Sequence, residues 1–552
     1  MGKSVPYILK TVATVLLLNL LAQLFYVRLD LTEDLRYTLS KAAINSVAPF
    51  KTPVIIDVLL EGTLTPEFLK LKKETQALLE EFAEENDNIK FNFVNPLEGE
   101  RIENVLTDLQ SIGLTPTRVT TEENTTVSQD IVFPWAMVNQ GNRTIKVPLL
   151  RNTLGASMED RVNNSVQHLE YAFANAFTKL GLKEKKRIAV IKGNGELDDI
   201  YMADFLTSLR EYYNIGAITL DSIATNAQGT LKQLQKYDLA LIAKPTEPFS
   251  DSEKYIMDQF ITQGGKSVWL IDQVQMELDS LFNETGTALA LPRDLNLGDF
   301  FFTHGLRINP VLVSDLYFTQ IVLASGKGNS AQYNPVPWFY NPMVFSRDDH
   351  PINRNLEALR FQFANAIDTL ASPLKKTILY QSSPLSKLEG TPKQIALELV
   401  NRAPDKETFN NGNQFLAVLL EGQFKSAFTK RVKPVDLQQE NASEKETKML
   451  VVSDGDIVKN QLRNGTPLEL GYDKWTNSFY GNKEFLINAV NYMLDNTGLI
   501  NIRNKNVAIP ILDEQRIATE KTRWQVLNIA LPLGLVLVFV PLINLWRKRR
   551  YR

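Results

Sequence analysis

The chain has 552 residues, of which 44% are hydrophobic and 22% are charged, a composition typical of a globular protein with several domains. Its 60 Lys and Arg residues nearly balance its 63 Asp and Glu residues, so the overall charge does not favour a nucleic-acid partner. Because the chain has no Cys and only three His, which lie far apart, the sequence excludes disulfides, thiolate chemistry, Cys-ligated zinc and His-pair metal motifs, and no cofactor is predicted.

Residues 7–27 form a hydrophobic stretch long enough to cross a bilayer as a helix. Lys10 lies near its beginning, where a lysine side chain can reach the membrane interface. The alternative is a cleaved signal peptide, but residues 23–28 lack the pair of small residues that marks a cleavage site. We therefore predict an uncleaved N-terminal anchor, preceded by a cytoplasmic segment of residues 1–6.

A second hydrophobic stretch, residues 524–546, begins and ends with tryptophan, which prefers the membrane interface. A basic tail, residues 547–552, follows directly, and the positive-inside rule places it in the cytoplasm. We predict a protein of the inner (cytoplasmic) membrane with both termini cytoplasmic and residues 28–523 in the periplasm. The residues that determine this topology are Arg547, Lys548, Arg549 and Arg550.

Residues 28–150 carry the pattern of a small α/β domain that begins with a βαβ-sized unit. This order of elements resembles a thioredoxin-like domain, and the lack of Cys excludes a redox role, so binding or scaffolding is predicted. The predicted elements are strands at 54–60 and 89–94, helices opening at Thr65-Pro66 and near 102–112, and a hairpin of strands 131–138 and 144–149.

Residues 151–186 are predicted to be a helical connector, because apolar residues recur at spacings of three and four within them. Strands and helices alternate through 187–523, which is typical of a mostly parallel, Rossmann-like sheet with helices on both faces. Ser250 and Glu253 have the spacing of a capping box, and Gly264-Gly265 is typical of a helix end. The predicted strands are 188–191, 218–220, 239–243, 267–271, 416–420 and 449–452, and two further predicted helices are 198–212 and 484–494.

The predicted fold class is thus α/β, with one transmembrane helix at each end of a large extracytoplasmic body. The pattern between residues 280 and 440 is too irregular to predict a fold.

Acidic residues follow several predicted strands, where ligand sites usually form in α/β folds. Carboxylates there could hold a cation or act as acid and base, although acidic turns are common without such a role, and that is the preferred interpretation. The candidate ligand or interaction positions are Asn194, Gly195, Glu196, Asp198, Asp272 and Asp454.

Two glycine motifs fall short of nucleotide-binding loops. Gly193-Asn194-Gly195 has Asp198 where a dinucleotide fingerprint needs its third glycine. Gly264-Gly265-Lys266-Ser267 has Phe260 at the leading position of a P-loop and lies at the end of a helix, whereas phosphate binds at a helix start. No GxSxG nucleophile motif is present, and we predict that the protein is not an enzyme.

Residues 28–40, RLDLTEDLRYTLS, resemble the segment that follows the first span in ABC-transporter auxiliary proteins, in particular the gliding-motility-associated GldG proteins of Bacteroidetes. The resemblance implies a non-ATPase subunit that works with a polytopic permease and a separate cytoplasmic ATPase. It implies no binding residue, and Asn194 stands where relatives often have His, which weakens a metal or catalytic role for the turn. Further similar segments, in the same order, are 189–196, 237–245, 250–272, 451–454 and 481–482.

Three functional hypotheses follow. The leading one is an interaction subunit whose two spans lie beside permease helices and whose outer body contacts an envelope partner. The second is a tethered periplasmic solute-binding protein, which needs a cleft with a few convergent polar groups. The third, a carboxylate- or metal-dependent hydrolase, depends only on the acidic turns.

Overall fold

The computed structural model divides the chain into two compact units, residues 1–505 and 506–552. The residues that it describes are 10–17, 19, 38–98, 102–123, 126–151, 155–182, 184–325, 332–347, 350–437, 445–495, 498–504 and 514–550. Most of the predicted N-terminal anchor, residues 7–27, lies outside these ranges; residues 10–17 and 19 are helical and exposed.

The first part of the large unit is built on a four-stranded sheet with strand order β2-β1-β5-β6. Strands β1 and β2 are parallel, which confirms the predicted βαβ unit, and β5 and β6 are antiparallel. The elements are α1 Lys41–Val47, β1 Val54–Val58, α2 Pro66–Glu85, β2 Ile89–Phe93, α3 Ile102–Ser111, β3 Thr117–Glu123, β4 Thr126–Val132, β5 Trp135–Gln140, β6 Arg143–Pro148 and α4 Met158–Gly181.

The predicted hairpin is shifted along the chain. Its strands are β5 and β6, joined by Gly141-Asn142, whereas residues 131–132 belong to a separate hairpin of β3 and β4. The prediction joined Ile131 to β5 because the apolar residues continue from Ile131 to Val138, across the break at Phe133 and Pro134 that separates β4 from β5. The thioredoxin-like assignment of this domain remains a prediction.

Helix α4, predicted as a connector, packs on the core of the first sheet. Phe177 lies 5.0 Å from Phe82 of α2, ring centre to ring centre, in an edge-to-face arrangement. Both side chains are fully buried, as are Phe173 and Leu71. The amphipathic spacing of α4 therefore serves to cover this sheet.

The second part of the large unit surrounds a ten-stranded sheet with the order β20-β13-β18-β22-β23-β10-β9-β7-β8, in which β19 also pairs with β22. The helices are α5 Ala203–Arg210, α6 Ile223–Leu234, α7 Asp251–Thr262, α8 Gly298–Thr303 and α9 Asn482–Leu494. The strands are β7 Arg187–Lys192, β8 Asn214–Thr219, β9 Leu239–Ala243, β10 Lys266–Leu270, β11 Val274–Gln275, β12 Thr287–Pro292, β13 Leu306–Asp315, β14 Ile321–Ser325, β15 Gln332–Val336, β16 Met343–Val344, β17 Leu359–Arg360, β18 Asn365–Thr369, β19 Lys375–Gln381, β20 Ser386–Gly390, β21 Lys393–Ala396, β22 Phe415–Gln423, β23 Glu446–Val452, β24 Leu462–Arg463, β25 Thr466–Pro467, β26 Tyr472–Asp473 and β27 Ser478–Phe479.

The prediction of a mostly parallel sheet is correct for one half and wrong for the other. Strands β8, β7, β9, β10 and β23 are parallel to one another. Strand β22 pairs antiparallel with β23, and β18, β13 and β20 continue in antiparallel pairs. The strands predicted at 416–420 and 449–452 are confirmed as parts of β22 and β23, which lie next to each other in this sheet. Their apolar runs indicate burial on both faces but not direction, which explains the error.

Successive residues of each central strand enter different cores, because strand side chains alternate between faces. Leu241 of β9 packs with α5 and α9 on one face, and Ile242 packs with α6, α7 and α8 on the other. The second core contains Trp269 of β10, which is fully buried and lies 5.4 Å from the rings of Phe300 and Phe301. The predicted covering of both faces by helices is confirmed.

Helix α7 begins with the predicted capping box. The amide of Glu253 donates to Ser250 Oγ at 3.3 Å, and the amide of Ser250 donates to Glu253 Oε2 at 2.6 Å. At the other end Gly264 has a φ of +100°, a left-handed conformation that favours glycine.

Replacing Ser250 with alanine is expected to lower the free energy of unfolding by about 1 kcal/mol, because the Glu253 amide at the helix start loses its acceptor, Ser250 Oγ. Thermal unfolding of the purified full-length chain measures this effect. Ser252→Ala, in the same first turn but outside the capping box, is the matched control and should change stability by less than about 0.5 kcal/mol. Equal losses in the two variants would contradict the capping assignment.

The segment for which no fold was predicted, residues 280–440, forms the antiparallel half of the large sheet and several smaller sheets. Strands β11, β12 and β21 form one three-stranded sheet. A separate core of Trp338, Tyr340 and Phe363 lies in this region.

The second unit contains α10, Glu514–Arg550, which includes the predicted C-terminal span. Residues 519–550 reach a mean hydropathy of 2.6 in their most apolar window, and none of that window is buried in protein. At about 1.5 Å per residue this segment is roughly 48 Å long, more than the ~30 Å of a bilayer core. Among the described residues it is the one helix long and apolar enough to anchor the chain in a membrane.

Candidate functional site

Charged side chains from the carboxyl ends of three adjacent parallel strands meet in a buried group. Lys244 follows β9, Asp272 follows β10, and Asp454 and Asp456 follow β23. The structure thus brings together two of the predicted positions, Asp272 and Asp454. Together with Glu277 and Lys459, these residues are called the lysine–carboxylate cluster below.

The ammonium group of Lys244 lies at the centre of the cluster. Its Nζ is 2.6 Å from Asp456 Oδ1, 2.7 Å from Glu277 Oε1 and 3.4 Å from Asp272 Oδ2. The carboxylate oxygens of these three residues lie within 4.8 Å of one another, the only such group among the described residues, and could hold a metal ion. The lysine side chain supplies one positive charge to the same three carboxylates and so offsets part of their negative charge.

Backbone amides hold the carboxylates of Asp272 and Asp454 in place. The Gly455 amide donates to Asp272 Oδ1 at 2.5 Å, and Asp454 accepts from the amides of Asp456 at 2.7 Å and Gln362 at 2.6 Å. A Cβ atom at Gly455 would lie 2.6 Å from Lys244 Cγ, so only glycine lets the backbone approach the lysine this closely.

Burial and the neighbouring charges shift the pKa values of the three aspartates of the cluster in different directions. Burial raises the pKa of Asp272 to about 6, against the effect of Lys244. Burial and then the charges of Asp272 and Asp456 raise the pKa of Asp454 well above its usual value, although the Gln362 amide and Lys244 act in the opposite direction. Burial also opposes ionisation of Asp456, but Lys244 and Lys459 outweigh it and hold that pKa low.

Lys244 stays charged because its three carboxylate partners raise its pKa more than burial lowers it. Asp454 has no exposed surface, and both of its oxygens accept from backbone amides. The cluster is therefore organised as an internal ion-pair network that ties three strand ends together.

A cleft of about 370 Å³ opens beside the cluster. Two members of the cluster, Glu277 and Lys459, also line this cleft. Its wall carries charged groups and aromatic rings side by side, which is the composition of a polar ligand site with a stacking surface. The side chains that line it include Arg360, Asp473, Lys474, Trp475, Phe282 and Asp279.

The predicted turn after β7 is built from its own hydrogen bonds. The carbonyl of Asn194 accepts from the amides of Thr246 and Glu247, both at 2.9 Å, and Glu196 Oε2 accepts from the Asn194 amide at 2.8 Å. Asn194 Nδ2 donates to Glu253 Oε2 at 3.2 Å, which connects the turn to the capping box.

Gly195 has a φ of +68°, and a Cβ there would lie 2.1 Å from Thr246 Oγ1, so the turn requires glycine. Burial raises the pKa of Glu196, while Asp199 forms an ion pair with Lys192 at 2.9 Å. None of Glu196, Asp198 and Asp199 belongs to the carboxylate group at Lys244. The turn of Asn194, Gly195, Glu196 and Asp198 contacts Thr246, Glu247 and Glu253, and none of these three belongs to the lysine–carboxylate cluster.

A protein-family model described as an ABC-type uncharacterized transport system matches residues 185–489, which is more than half of the chain. The chain belongs to this ABC-transporter auxiliary family. The matched segment contains the whole lysine–carboxylate cluster and the adjacent cleft. A second model, of a domain of unknown function, matches residues 33–139.

A comparison with curated proteins gave no significant match. Among solved structures, the mmIFT52 N-terminal domain is 12% identical, with 56% of this chain and 97% of that chain covered at a TM-score of 0.31. A ThuA-like protein from Parabacteroides merdae is 10% identical, with 55% and 99% covered at a TM-score of 0.25. At these TM-scores neither likeness supports a statement about function.

Four residues of the site in this member of the auxiliary family were not predicted from the sequence. Lys244 directly follows the predicted strand 239–243, and a charged residue at a strand end is the signal that points to it. Glu277, Arg360 and Lys459 come from loops and a short strand, and the sequence gives no signal that places them at the cleft.

Proposed function

We propose that this chain is the membrane-anchored, non-ATPase auxiliary subunit of an ABC-type transporter complex associated with gliding motility. The observation that carries the proposal is the family match over residues 185–489 in a chain that also contains the apolar helix α10. A transport system of this kind includes a permease and an ATPase in general, and the proposed partners are a polytopic permease, a separate cytoplasmic ATPase and an envelope protein.

The proposed location is the inner membrane, with both termini in the cytoplasm and the large unit in the periplasm. The support is the basic group at the end of α10, which the positive-inside rule assigns to the cytoplasm. The group consists of Arg547, Lys548, Arg549 and Arg550.

The proposed role is protein–protein interaction without catalysis. The support is the state of the lysine–carboxylate cluster, whose acidic groups are paired with Lys244 and Lys459 or bonded to backbone amides. A general acid or base needs a group that can reach a substrate proton, and Asp454 and Asp272 are enclosed in protein.

Affinity purification of the tagged full-length chain from native membranes in mild detergent, with mass spectrometry, tests the proposal. We expect a multi-span permease and a P-loop ATPase to co-elute with the chain. A chain lacking residues 514–552 is the control and should recover less of both. Elution of the full-length chain alone would contradict the subunit assignment, and normal colony spreading in a deletion strain would contradict the motility association.

The cleft supports a second candidate function, a tethered periplasmic solute-binding protein. Convergent polar side chains and aromatic rings at the carboxyl ends of strands are features of small-molecule sites. A ligand that raises the melting temperature of the full-length chain, together with no co-eluting permease, would favour this function over the first.

A further inference from the structure

Arg360 supplies a guanidinium group that the surrounding protein uses only in part. Its side chain lines the cleft and is 13% exposed, and its buried Nε has no hydrogen-bond partner among the described residues. Its Nη1 forms an ion pair with Asp473 Oδ1 at 3.6 Å, a separation longer than a hydrogen bond. The Nη groups therefore keep donors that an acceptor in the cleft can use.

Asp473 pairs with Arg360 only loosely, because both of its oxygens also accept other hydrogen bonds. Gln461 Nε2 donates to Oδ1 at 2.9 Å and Thr476 Oγ1 donates to Oδ2 at 2.7 Å. The backbone of Arg360 is held by the Asn482 side chain, which donates to its carbonyl at 2.8 Å and accepts from its amide at 3.0 Å. The guanidinium group is thus presented at the cleft from a fixed backbone.

The charges that line the cleft limit what can bind there. Three carboxylates, of Glu277, Asp279 and Asp473, face three cations, of Arg360, Lys459 and Lys474. Lys474 Nζ already donates to the Leu462 carbonyl at 2.7 Å. A cleft with balanced charge does not favour a dianion such as phosphate, whereas one carboxylate matches the planar fork of one arginine.

Aromatic rings at the same cleft offer a surface for the rest of a ligand. Phe282 and Trp475 are each 54% exposed although both are large and apolar. Tyr333 stacks on Trp475 at 5.6 Å between ring centres with an angle of 25°, which holds the indole in place. Exposed aromatic rings beside a polar recess indicate a surface that a planar or apolar group covers.

We propose that this cleft binds a small organic monoanion, whose carboxylate is held by Arg360 and whose apolar part lies against Trp475. This inference deepens the solute-binding function proposed above and depends on it. It assigns a recognition role to a residue that belongs to neither the acidic turns nor the lysine–carboxylate cluster.

Isothermal titration of the full-length protein in detergent with phenylacetate tests the inference, with neutral phenylacetamide as the matched compound. We expect phenylacetate to bind and phenylacetamide to bind at least about tenfold more weakly, because the amide cannot form a charged pair with Arg360. Equal binding of the two compounds, or no binding of phenylacetate, would overturn the inference. This comparison needs no substitution.

Two variants locate the site. Arg360→Gln should weaken phenylacetate binding at least about tenfold, whereas Arg402→Gln, which removes an exposed arginine beside Glu398, should leave it unchanged. Unchanged binding by R360Q would overturn the assignment of the carboxylate to Arg360. Co-elution of a permease and an ATPase with R360Q is measured separately, so a failure of anion binding is distinguishable from a failure of the subunit proposal.

Discussion

Replacing Lys244 with methionine is expected to lower the free energy of unfolding by about 3–5 kcal/mol, because the change leaves buried carboxylates without their central cation. Methionine keeps the length and apolar part of the side chain, so the effect reports the lost charge. Asp272 and Asp456 are both almost completely buried and cannot recover the interaction from water. Chemical denaturation followed by tryptophan fluorescence measures the change, since Trp269 lies in the neighbouring strand.

The matched control is Lys375→Met, which removes an exposed lysine from its ion pair with Glu421. An exposed pair contributes less than about 1 kcal/mol, so this variant should remain close to wild type. A second variant, Lys244→Met with Asp272→Asn and Asp456→Asn, removes the unpaired charges as well and should recover part of the loss. Equal stability of the Lys244→Met and Lys375→Met variants would contradict the central role of Lys244.

Acidification from pH 6.5 to 4 is expected to destabilise the protein by about 3 kcal/mol through one residue, His304. Its side chain is buried, its Nε2 has no hydrogen-bond partner among the described residues, and its ring packs on Phe300 and Phe424. Burial lowers the pKa of His304 to about 4. The unfolded chain, with a pKa near 6.5, therefore binds a proton that the folded chain excludes, and stability falls as pH falls through this window.

The measurement is the difference in unfolding free energy between wild type and His304→Leu at a series of pH values. The difference is needed because Asp258 and Asp272, whose pKa values burial raises to about 6, change stability in the opposite direction. The leucine variant should lack the loss between pH 6.5 and 4. Parallel curves for the two proteins over this range would contradict the buried, neutral state of His304.

The parts of the fold that the sequence predicts correctly are those with a strong local pattern. Strand β9 is a run of five apolar residues, LALIA, and α7 has both a capping box and a glycine end, so both could be placed from the residues alone. Helix α6 was missed. It contains Gly229 and a non-helical Asn226, both unfavourable in a helix, and it forms because Leu231 and Leu234 pack under the sheet.

The residues of the candidate site were predictable only where they directly follow a predicted strand. Asp272 and Asp454 follow clear strands, and the carboxyl ends of adjacent parallel strands meet at one edge, so their proximity follows from the pattern. The turn at Glu196 follows the same rule, yet its carboxylate bonds to the Asn194 amide. Arg360 reaches the cleft from the two-residue strand β17, and long-range pairing of this kind leaves no local pattern in a sequence.

ATP hydrolysis by the protein alone and in its purified complex tests whether this chain is the non-ATPase subunit of an ABC-type transporter. We expect no ATP hydrolysis by the full-length chain purified alone in stringent detergent. We expect clear hydrolysis in the material that co-elutes with the chain from native membranes in mild detergent. Hydrolysis by the isolated chain, or none in the mild eluate, would contradict this assignment.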